Sequence, residues 1–428
     1  MEHHINHCFI NHCFIKHCRI KNIAWQTTVS CLTDRTPMTN THSRQCPSLS
    51  SQSESERPIL TTMILVISLI MVVTHLLQTS LFILPSGQFK NLHLGLALLL
   101  VFCSLAETAK THNRSRIFIL LAFTALLPLS YIHIEYPALI SDRIFSTNDA
   151  DLAITVLLLI LTLTATIFKW GFTLPLISVL ALLYGYYGNY LPGNLLFHSG
   201  IDFERLMSYS AIPFFQGLLG SLVGLSAGTV FIFMLYAGLL KATGGIDFIM
   251  LMGKSLTGKS RSGPAQIAII SSGFMGMISG STVANVASTG TMTIPLMKRA
   301  GFRSSYAGAI EAVASTGGQF TPPIMGLTAF LIVGITGIPY NNIMLAGVFP
   351  AIVYYAYLMI SVHLQAVADG LNSDSVSKDP QDLETEDKSS QELTLKTASK
   401  RYGHLILSIA VLVYWLVMRM PPAVAALY

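Results

Sequence analysis

One tract of the sequence is rich in small and hydroxyl side chains. Fourteen of the 21 residues from 271 to 291 are Gly, Ala, Ser or Thr. Small residues let helix backbones approach closely within a membrane, and hydroxyl oxygens can act as ligands for a cation. Tight packing alone could explain the tract, but its centre, SGSTVAN at residues 279–285, is a polar turn. Such a turn is tolerated at membrane depth only where it is buried in protein or lines a cavity, so we predict a binding site here.

A second stretch, residues 314–323 (ASTGGQFTPP), places two glycines and two prolines in an otherwise helical pattern. Proline clashes with the carbonyl four residues earlier and cannot donate to it. Pro322 and Pro323 therefore predict a helix break that frees the carbonyls of Gly318 and Gln319. Carbonyl and hydroxyl oxygens without an adjacent carboxylate favour a weakly hydrated monovalent cation over zinc, and secondary transporters use broken helices in this way.

Glu311 is the only acidic residue between Asp247 and Asp369. An ionisable group inside a membrane is a candidate functional residue. Two readings stay open, because Glu311 could serve the site or could lie near the membrane surface and pair with Arg303.

Enzymatic motifs are weak in this chain. Residues 224–228 (GLSAG) match the G-x-S-x-G pattern of hydrolases, but that pattern requires a strand–turn–helix context and here lies in an apolar span. The chain has neither an H-E-x-x-H motif nor a P-loop lysine motif. We therefore predict that the chain is not an enzyme, and we expect His75, in the first span, to be a buried or interfacial histidine without a chemical role.

The first residues carry a five-residue repeat, INHCF-INHCF-IKHCR-IKN, at positions 5–22. Its His-Cys pairs could bind a soft metal such as zinc or copper, although a period of five matches no common zinc spacing. The alternative is a polar leader, residues 1–58, that is disordered or not native, with initiation at Met38 or Met63.

Composition identifies the class of protein. The 428 residues are 52% hydrophobic and 11% charged, with a mean hydropathy of +0.58. Soluble domains carry about 25% charged residues, so a soluble multi-domain enzyme is excluded and an all-α polytopic membrane protein is predicted. The net charge of +5 does not indicate nucleic-acid binding, because the basic residues lie mostly between apolar spans.

Apolar stretches near the length of a transmembrane helix, about 20 residues, predict the membrane spans. The predicted spans are residues 59–83, 91–106, 117–134, 152–168, 172–187, 219–240, a broken span 304–337, 340–362 and 404–418.

The uncharged tract 263–297 is too long for one span. Its 35 residues would form about 52 Å of helix against a hydrocarbon core of about 30 Å. Two half-helices forming a re-entrant hairpin fit better. With that hairpin, and leaving the leader and the acidic segment 369–402 uncounted, eleven basic residues face the cytoplasm and four face outside. The N-terminus is therefore predicted to be cytoplasmic.

Residues 369–402 contain eight acidic side chains with many Ser and Gln and are predicted to form a disordered cytoplasmic linker. The predicted organisation is a leader (1–58), a first transmembrane region (59–205), a region with the hairpin and broken helix (206–368), the linker (369–402) and a final segment (403–428).

The sequences GSTVANVASTGTMTIPLMKRAGF and AGAIEAVASTGGQFTPPIMG, within about residues 220–368, resemble the large membrane subunit (DctM type) of TRAP transporters. The form GGQFTPPIMG, with extra spans before it, resembles fused permeases that work with TAXI-type binding proteins. The region 59–205 would then correspond to the fused small subunit. The resemblance implies an elevator-type secondary transporter in the bacterial inner membrane. Such a transporter takes up carboxylates with Na⁺ as the coupling ion, receives its substrate from a periplasmic TAXI-type binding protein, and needs no cofactor.

The resemblance also assigns site residues. At the hairpin tip these are Ser279, Gly280, Ser281 and Asn285, and at the helix break they are Thr316, Gly317, Gly318, Thr321 and Pro322. Within this set the implied sodium ligands are Ser281, Asn285, Thr316 and Gly318.

TRAP large subunits have two inverted repeats, and this chain shows one hairpin, with residues 403–428 resembling the start of a second repeat. We expect a permease that is complete only with a separately encoded second half. The alternative is a truncated, non-transporting membrane fragment or an assembly component.

Overall fold

The computed structural model describes residues 57–144, 147–193, 196–245, 248–249, 253, 262–371 and 395–427. The His-Cys repeat and most of the acidic linker lie outside these residues. Throughout the described residues the regular structure is helical, without a β-strand. Six described helices are long and apolar enough to cross a membrane: Ile59–Leu81, Ser86–Glu107, His112–Ile134, Asp149–Trp170, Gly217–Ala242 and Tyr340–Ala368. The predicted class, an all-α polytopic membrane protein, is confirmed.

The first seven helices form the N-terminal helical layer. They are α1 (Arg57–Leu81), α2 (Ser86–Glu107), α3 (His112–Ile134), α4 (Tyr136–Ile140), α5 (Asp149–Trp170), α6 (Thr173–Tyr187) and α7 (Phe203–Ser210). Helix α2 packs against both α1 and α3. Their core is filled by fully buried side chains such as Phe102, Ile132 and Leu161.

A single apolar span, Gly217–Ala242, follows this layer and is not a uniform α-helix. It consists of a 3₁₀ turn (Gly217–Leu219), α8 (Ser221–Leu225), a π-helical turn (Ser226–Val230) and α9 (Phe231–Ala242). The G-x-S-x-G residues lie in this span, so the context that a hydrolase needs is absent from it.

The next elements form the predicted hairpin and broken helix. Helices α10 (Gly263–Ser279) and α11 (Thr282–Arg299) are joined by a two-residue turn. Helix α12 (Ser304–Gly317) continues into a 3₁₀ turn (Gly318–Phe320), and α13 (Leu327–Thr336) begins after six further residues. Helices α10, α11 and α12 pack against one another in all three pairs.

Three helices complete the described chain: α14 (Tyr340–Ala368), α15 (Leu395–Val417) and α16 (Pro422–Leu427). Tyr340 is buried, stacks on Phe330 of α13 at a centroid distance of 4.9 Å and lies near Phe233 of α9. This aromatic cluster joins the broken helix to the preceding span and to α14.

Two predicted segments differ from the structure. The predicted span 172–187 is a helix of 15 residues, Thr173–Tyr187, which is about 22 Å long and shorter than the hydrocarbon core of about 30 Å. Helix α15 begins at Leu395, within the segment predicted to be linker and nine residues before the predicted final span. Hydropathy alone missed this start because its first turns are polar.

Candidate functional site

The hairpin turns at a glycine in the left-handed conformation. Gly280 has φ = +62°, which glycine adopts without steric cost, and it ends α10. Ser281 is the N-cap of α11, where its Oγ accepts the Ala284 N–H at 3.4 Å. The polar turn predicted at residues 279–285 is therefore a helix stop followed directly by a helix start.

The break in α12 packs on α10 close to this turn. A Cβ built on Gly318 would lie 2.4 Å from the Cα of Gly276, which is closer than any real Cβ contact. A Cβ built on Gly276 would lie 2.8 Å from the Cα of Gly318 and 2.9 Å from Nδ2 of Asn285. The small residues thus bring α10, α11 and the break together, with the Asn285 amide and Gly318 both converging on Gly276.

The hairpin tip also meets the chain that follows the break. A Cβ on Gly326, the residue before α13, would lie 3.0 Å from the carbonyl oxygens of both Gly280 and Gln319. The Gln319 side chain donates from Nε2 to Thr282 Oγ1 at 2.8 Å. The N-termini of α11 and α13 therefore lie at one place, where their partial positive charges add.

The prediction that the two prolines leave free carbonyls is wrong, although the helix does break there. Gly318 O accepts the Thr321 N–H at 3.4 Å, and Gln319 O accepts the Gly326 N–H at 2.5 Å. Backbone carbonyls away from water need donors, and the loop supplies them within a few residues. Each carbonyl oxygen has a second lone pair, so a hydrogen bond does not prevent it from also acting as a ligand.

A buried carboxylate lies between the hairpin and α12. Glu311 is fully buried, and its Oε1 accepts hydrogen bonds from Ser272 Oγ and Thr289 Oγ1, both at 2.5 Å. Its Oε2 accepts a hydrogen bond from Thr293 Oγ1 at 2.6 Å, and Ser315 Oγ lies 3.5 Å from Oε1. We call these five residues the hydroxyl cluster.

The hydroxyl cluster resolves the two readings of Glu311. The described residues include no ion pair between Glu311 and Arg303, so the reading in which they pair is wrong. The carboxylate instead joins all three helices, because Ser272 lies on α10, Thr289 and Thr293 on α11, and Glu311 on α12.

Asn285 adjoins the hydroxyl cluster. Its Nδ2 donates to the carbonyl of Ser272 at 2.7 Å, and its Oδ1 lies 3.4 Å from Thr289 Oγ1. The Asn285 side chain therefore uses its NH₂ group to bond α10 across the hairpin and directs its oxygen toward the hydroxyl cluster.

The structure brings together some of the predicted site residues and separates others. Buried positions are occupied by Ser279, Asn285, Gly317 and Gly318, and half-buried ones by Gly280, Thr321 and Pro322. Ser281 and Thr316 are exposed in the chain. The Thr316 hydroxyl donates to Ala312 O at 2.8 Å, so it is not directed at Asn285 or the tip. Of the four implied sodium ligands, Asn285 and Gly318 lie together.

Sequence reasoning missed Ser272, Thr289, Thr293 and Ser315. A signal was present, because residues 285, 289 and 293 recur every four positions on one helix face, as do 311 and 315. The prediction of a polar turn at residues 279–285 does not use this helical spacing.

A family model described as "Tripartite ATP-independent periplasmic transporter, DctM component" matches residues 155–428, more than half of the chain. Three curated relatives carry related descriptions. A putative TRAP transporter large permease protein of Haemophilus influenzae is 30% identical over 136 residues, 31% of each chain. The C4-dicarboxylate TRAP transporter large permease protein DctM of Pseudomonas aeruginosa is 27% identical over 135 residues, also 31% of each chain.

The third relative is the 2,3-diketo-L-gulonate TRAP transporter large permease protein YiaN of Escherichia coli, 27% identical over 136 residues and 31% of each chain. A match of greater extent is an uncharacterized protein of Sinorhizobium fredii, 26% identical over 203 residues, 47% of this chain and 43% of that protein. The chain therefore aligns with less than half the length of each of these relatives.

Proposed function

The chain belongs to the DctM family of tripartite ATP-independent periplasmic transporters, and we propose that it is the permease component of a sodium-coupled transporter for small carboxylates. It would receive its substrate from a periplasmic binding protein of the TAXI type in the bacterial inner membrane, with its N-terminus in the cytoplasm. The alternating elements would be the re-entrant hairpin and the broken helix, moving together as an elevator.

The observation that carries this proposal is the contact between the hairpin and the helix break. Gly276 and Gly318 approach so closely that neither tolerates a Cβ, and Gln319 fastens the break to the start of α11. A hairpin tip and an interrupted helix that meet in the membrane form the arrangement from which secondary transporters build ion and substrate sites.

Sodium is supported by the chemistry of the available ligands. The tip and break offer amide, hydroxyl and backbone carbonyl oxygens, and the Asn285 amide group and the Cα of Gly318 both lie close to Gly276. Hard oxygen ligands without thiolate or imidazole favour a hard cation. The carboxylate of Glu311 is not part of this oxygen set, because it accepts hydrogen bonds from the hydroxyls of Thr289 and Thr293.

A carboxylate substrate is supported by the meeting of two helix N-termini. Helix α11 begins at Thr282 and α13 at Leu327, and Gly280 and Gly326 bring these ends together. Helix N-termini bind anions through their free N–H groups and their partial positive charge, without needing a basic side chain. The names of the P. aeruginosa and E. coli relatives refer to carboxylate compounds, which agrees with this class of substrate.

Transport by the complete permease tests the proposal. Membrane vesicles containing this chain, any separately encoded second half and the purified binding protein would receive a labelled C4-dicarboxylate under an inward sodium gradient. We expect uptake that requires both sodium and the binding protein. Equal uptake under a potassium gradient would exclude sodium coupling. Absence of uptake for a panel of carboxylates, with all components assembled, would favour the alternative of a non-transporting assembly component.

A further inference from the structure

A groove of about 470 Å³ lies between α1 and α3, outside the hairpin and broken helix. Its floor is α2, which contributes Leu99 and Cys103, and its walls include Ile59 and Met63 of α1 and Phe123 of α3. All of the residues that line it are apolar except Cys103 and one cation, Arg116.

The cation lies at one end of the groove. Helices α1 and α3 run in the same direction. Ile59 is near the start of α1 and Arg116 is in the second turn of α3, so both residues lie at the N-terminal end of their helices. Arg116 is exposed, and it has no ion-pair partner among the described residues. The nearest acid in sequence, Glu107, accepts a hydrogen bond from Thr61 at 2.7 Å. Among the described residues that line the groove, Arg116 is the charged one, and Glu107 does not line it.

The length of the groove matches one leaflet of a bilayer. Along α1 its lining runs from Ile59 to Ile67, and along α3 from Arg116 to Leu126. At about 1.5 Å per residue these stretches are about 12 and 15 Å long. Half of a hydrocarbon core of about 30 Å is about 15 Å. An acyl chain whose head group lies at Arg116 would thus reach the midplane within the groove.

We propose that this groove is a specific site for an anionic phospholipid, with the phosphate at Arg116 and one acyl chain along α1 and α3. A basic residue at the interface above a gap between membrane helices is the arrangement that recognises anionic head groups. Lys110 and Arg114 lie at the same exposed end and add positive charge around the mouth. The bound lipid would cover part of α1, because only 17% of the most apolar 18-residue stretch of this helix is buried by other parts of the protein. This proposal does not depend on the transport activity.

Lipid titration of the full chain in detergent, followed by native mass spectrometry, tests the site. Phosphatidylglycerol and phosphatidylcholine with identical acyl chains separate recognition of the charge from simple solvation of an apolar surface. We expect phosphatidylglycerol to bind about five- to tenfold more tightly, and Arg116→Gln to remove most of that preference. Arg114→Gln is the matched control, because Arg114 is also exposed and near the mouth but does not line the groove, and it should reduce the preference much less than Arg116→Gln does.

A second variant tests the apolar part. Met63→Trp would fill the groove from the exposed wall of α1, and we expect it to weaken phosphatidylglycerol binding with Arg116 intact. Equal binding of the two lipids, or equal losses in Arg116→Gln and Arg114→Gln, would overturn the proposal. Two further results would overturn it. A dimer that dissociates on lipid addition would indicate that a second copy of the chain occupies the groove. Stronger lipid binding after removal of residues 1–56 would indicate that this segment occupies it.

Discussion

His75 and His93 are hydrogen-bonded to each other between the first two membrane helices, with 2.8 Å between Nε2 of His75 and Nδ1 of His93. The tautomers follow from the outer partners. The Met71 carbonyl can only accept, so His75 carries its proton on Nδ1, which is 2.6 Å from that oxygen. In the neutral pair, His75 Nε2 then accepts from His93 Nδ1–H, and His93 Nε2 accepts from the hydroxyl of Ser226 at 3.1 Å.

This relay predicts that the two histidines stabilise the fold as a pair. His93→Leu leaves the buried Nε2 of His75 without a donor, which costs about 1–3 kcal/mol of unfolding free energy. His75→Leu/His93→Leu removes both groups, so we expect the double variant to lose less than the sum of the single variants. Thermal unfolding in detergent measures all three, and strictly additive losses would show that the histidines act independently.

Gly318→Ala should separate the helix break from the hairpin. The new Cβ would overlap the backbone of Gly276, which cannot move aside as a side chain tip could. We expect a lower unfolding temperature and loss of sodium-driven uptake. Gly308→Ala, on the helix α12 that leads into Gly318, is the control, because a Cβ there meets no atom within 4 Å. Gly308→Ala should be neutral or stabilising by about 0.5–1 kcal/mol. Similar effects of the two substitutions would contradict the assigned contact.

Glu311→Gln should destabilise the packing of the hairpin against α12. The change keeps the volume but replaces an acceptor oxygen by an NH₂ donor, opposite hydroxyls that already donate to this group. We expect a loss of about 1–3 kcal/mol. Glu107→Gln, at an exposed carboxylate that accepts a hydrogen bond from the Thr61 hydroxyl, should change stability by less than about 0.5 kcal/mol. An unchanged unfolding temperature for Glu311→Gln would show that the hydroxyls do not need the carboxylate.

The proposed sodium ligands are separable by mutation. Asn285→Leu removes the buried amide oxygen, and we expect the sodium concentration for half-maximal uptake to rise about tenfold or more. Thr316→Val should have a smaller effect, because its exposed hydroxyl donates to Ala312 O and points away from Asn285. Thr291→Val is the control for the loss of a hydroxyl, because Thr291 is an exposed residue of α11 outside the proposed site. Unchanged sodium activation in Asn285→Leu, at normal protein abundance, would reassign Asn285 to helix packing.

Local features were predictable from the sequence, and partners between helices were not. Length and hydropathy predicted the long spans, and the 35-residue uncharged tract predicted a hairpin, which turns at Gly280 as the polar tip suggested. These features depend only on rise per residue and local conformation. The partners of Glu311 depend on how α10, α11 and α12 are rotated about their axes, which the tract alone does not specify. The hydrogen-bond partner of Ser226, His93 of α2, is likewise far away in sequence and could not be predicted from the local pattern.

Replacing Pro322 and Pro323 together by alanine should straighten the broken helix and abolish transport. Helix interiors favour alanine over proline by about 3 kcal/mol per residue. The two new N–H groups could donate to the carbonyls of Gly318 and Gln319, which now accept from Thr321 and Gly326. A continuous helix would carry Gly326 away from the hairpin tip and separate the N-termini of α11 and α13.

The measurement for this double variant is paired, because stability and transport should move in opposite directions. We expect an equal or higher unfolding temperature in detergent and no sodium-driven uptake by the complete permease. A lower unfolding temperature would indicate that the break is needed to fit neighbouring helices, so that loss of uptake would follow from misfolding. Retained uptake would mean that the meeting of the two helix N-termini does not form the substrate site, and the assignment of the tip and the break to ion and substrate binding would fail with it.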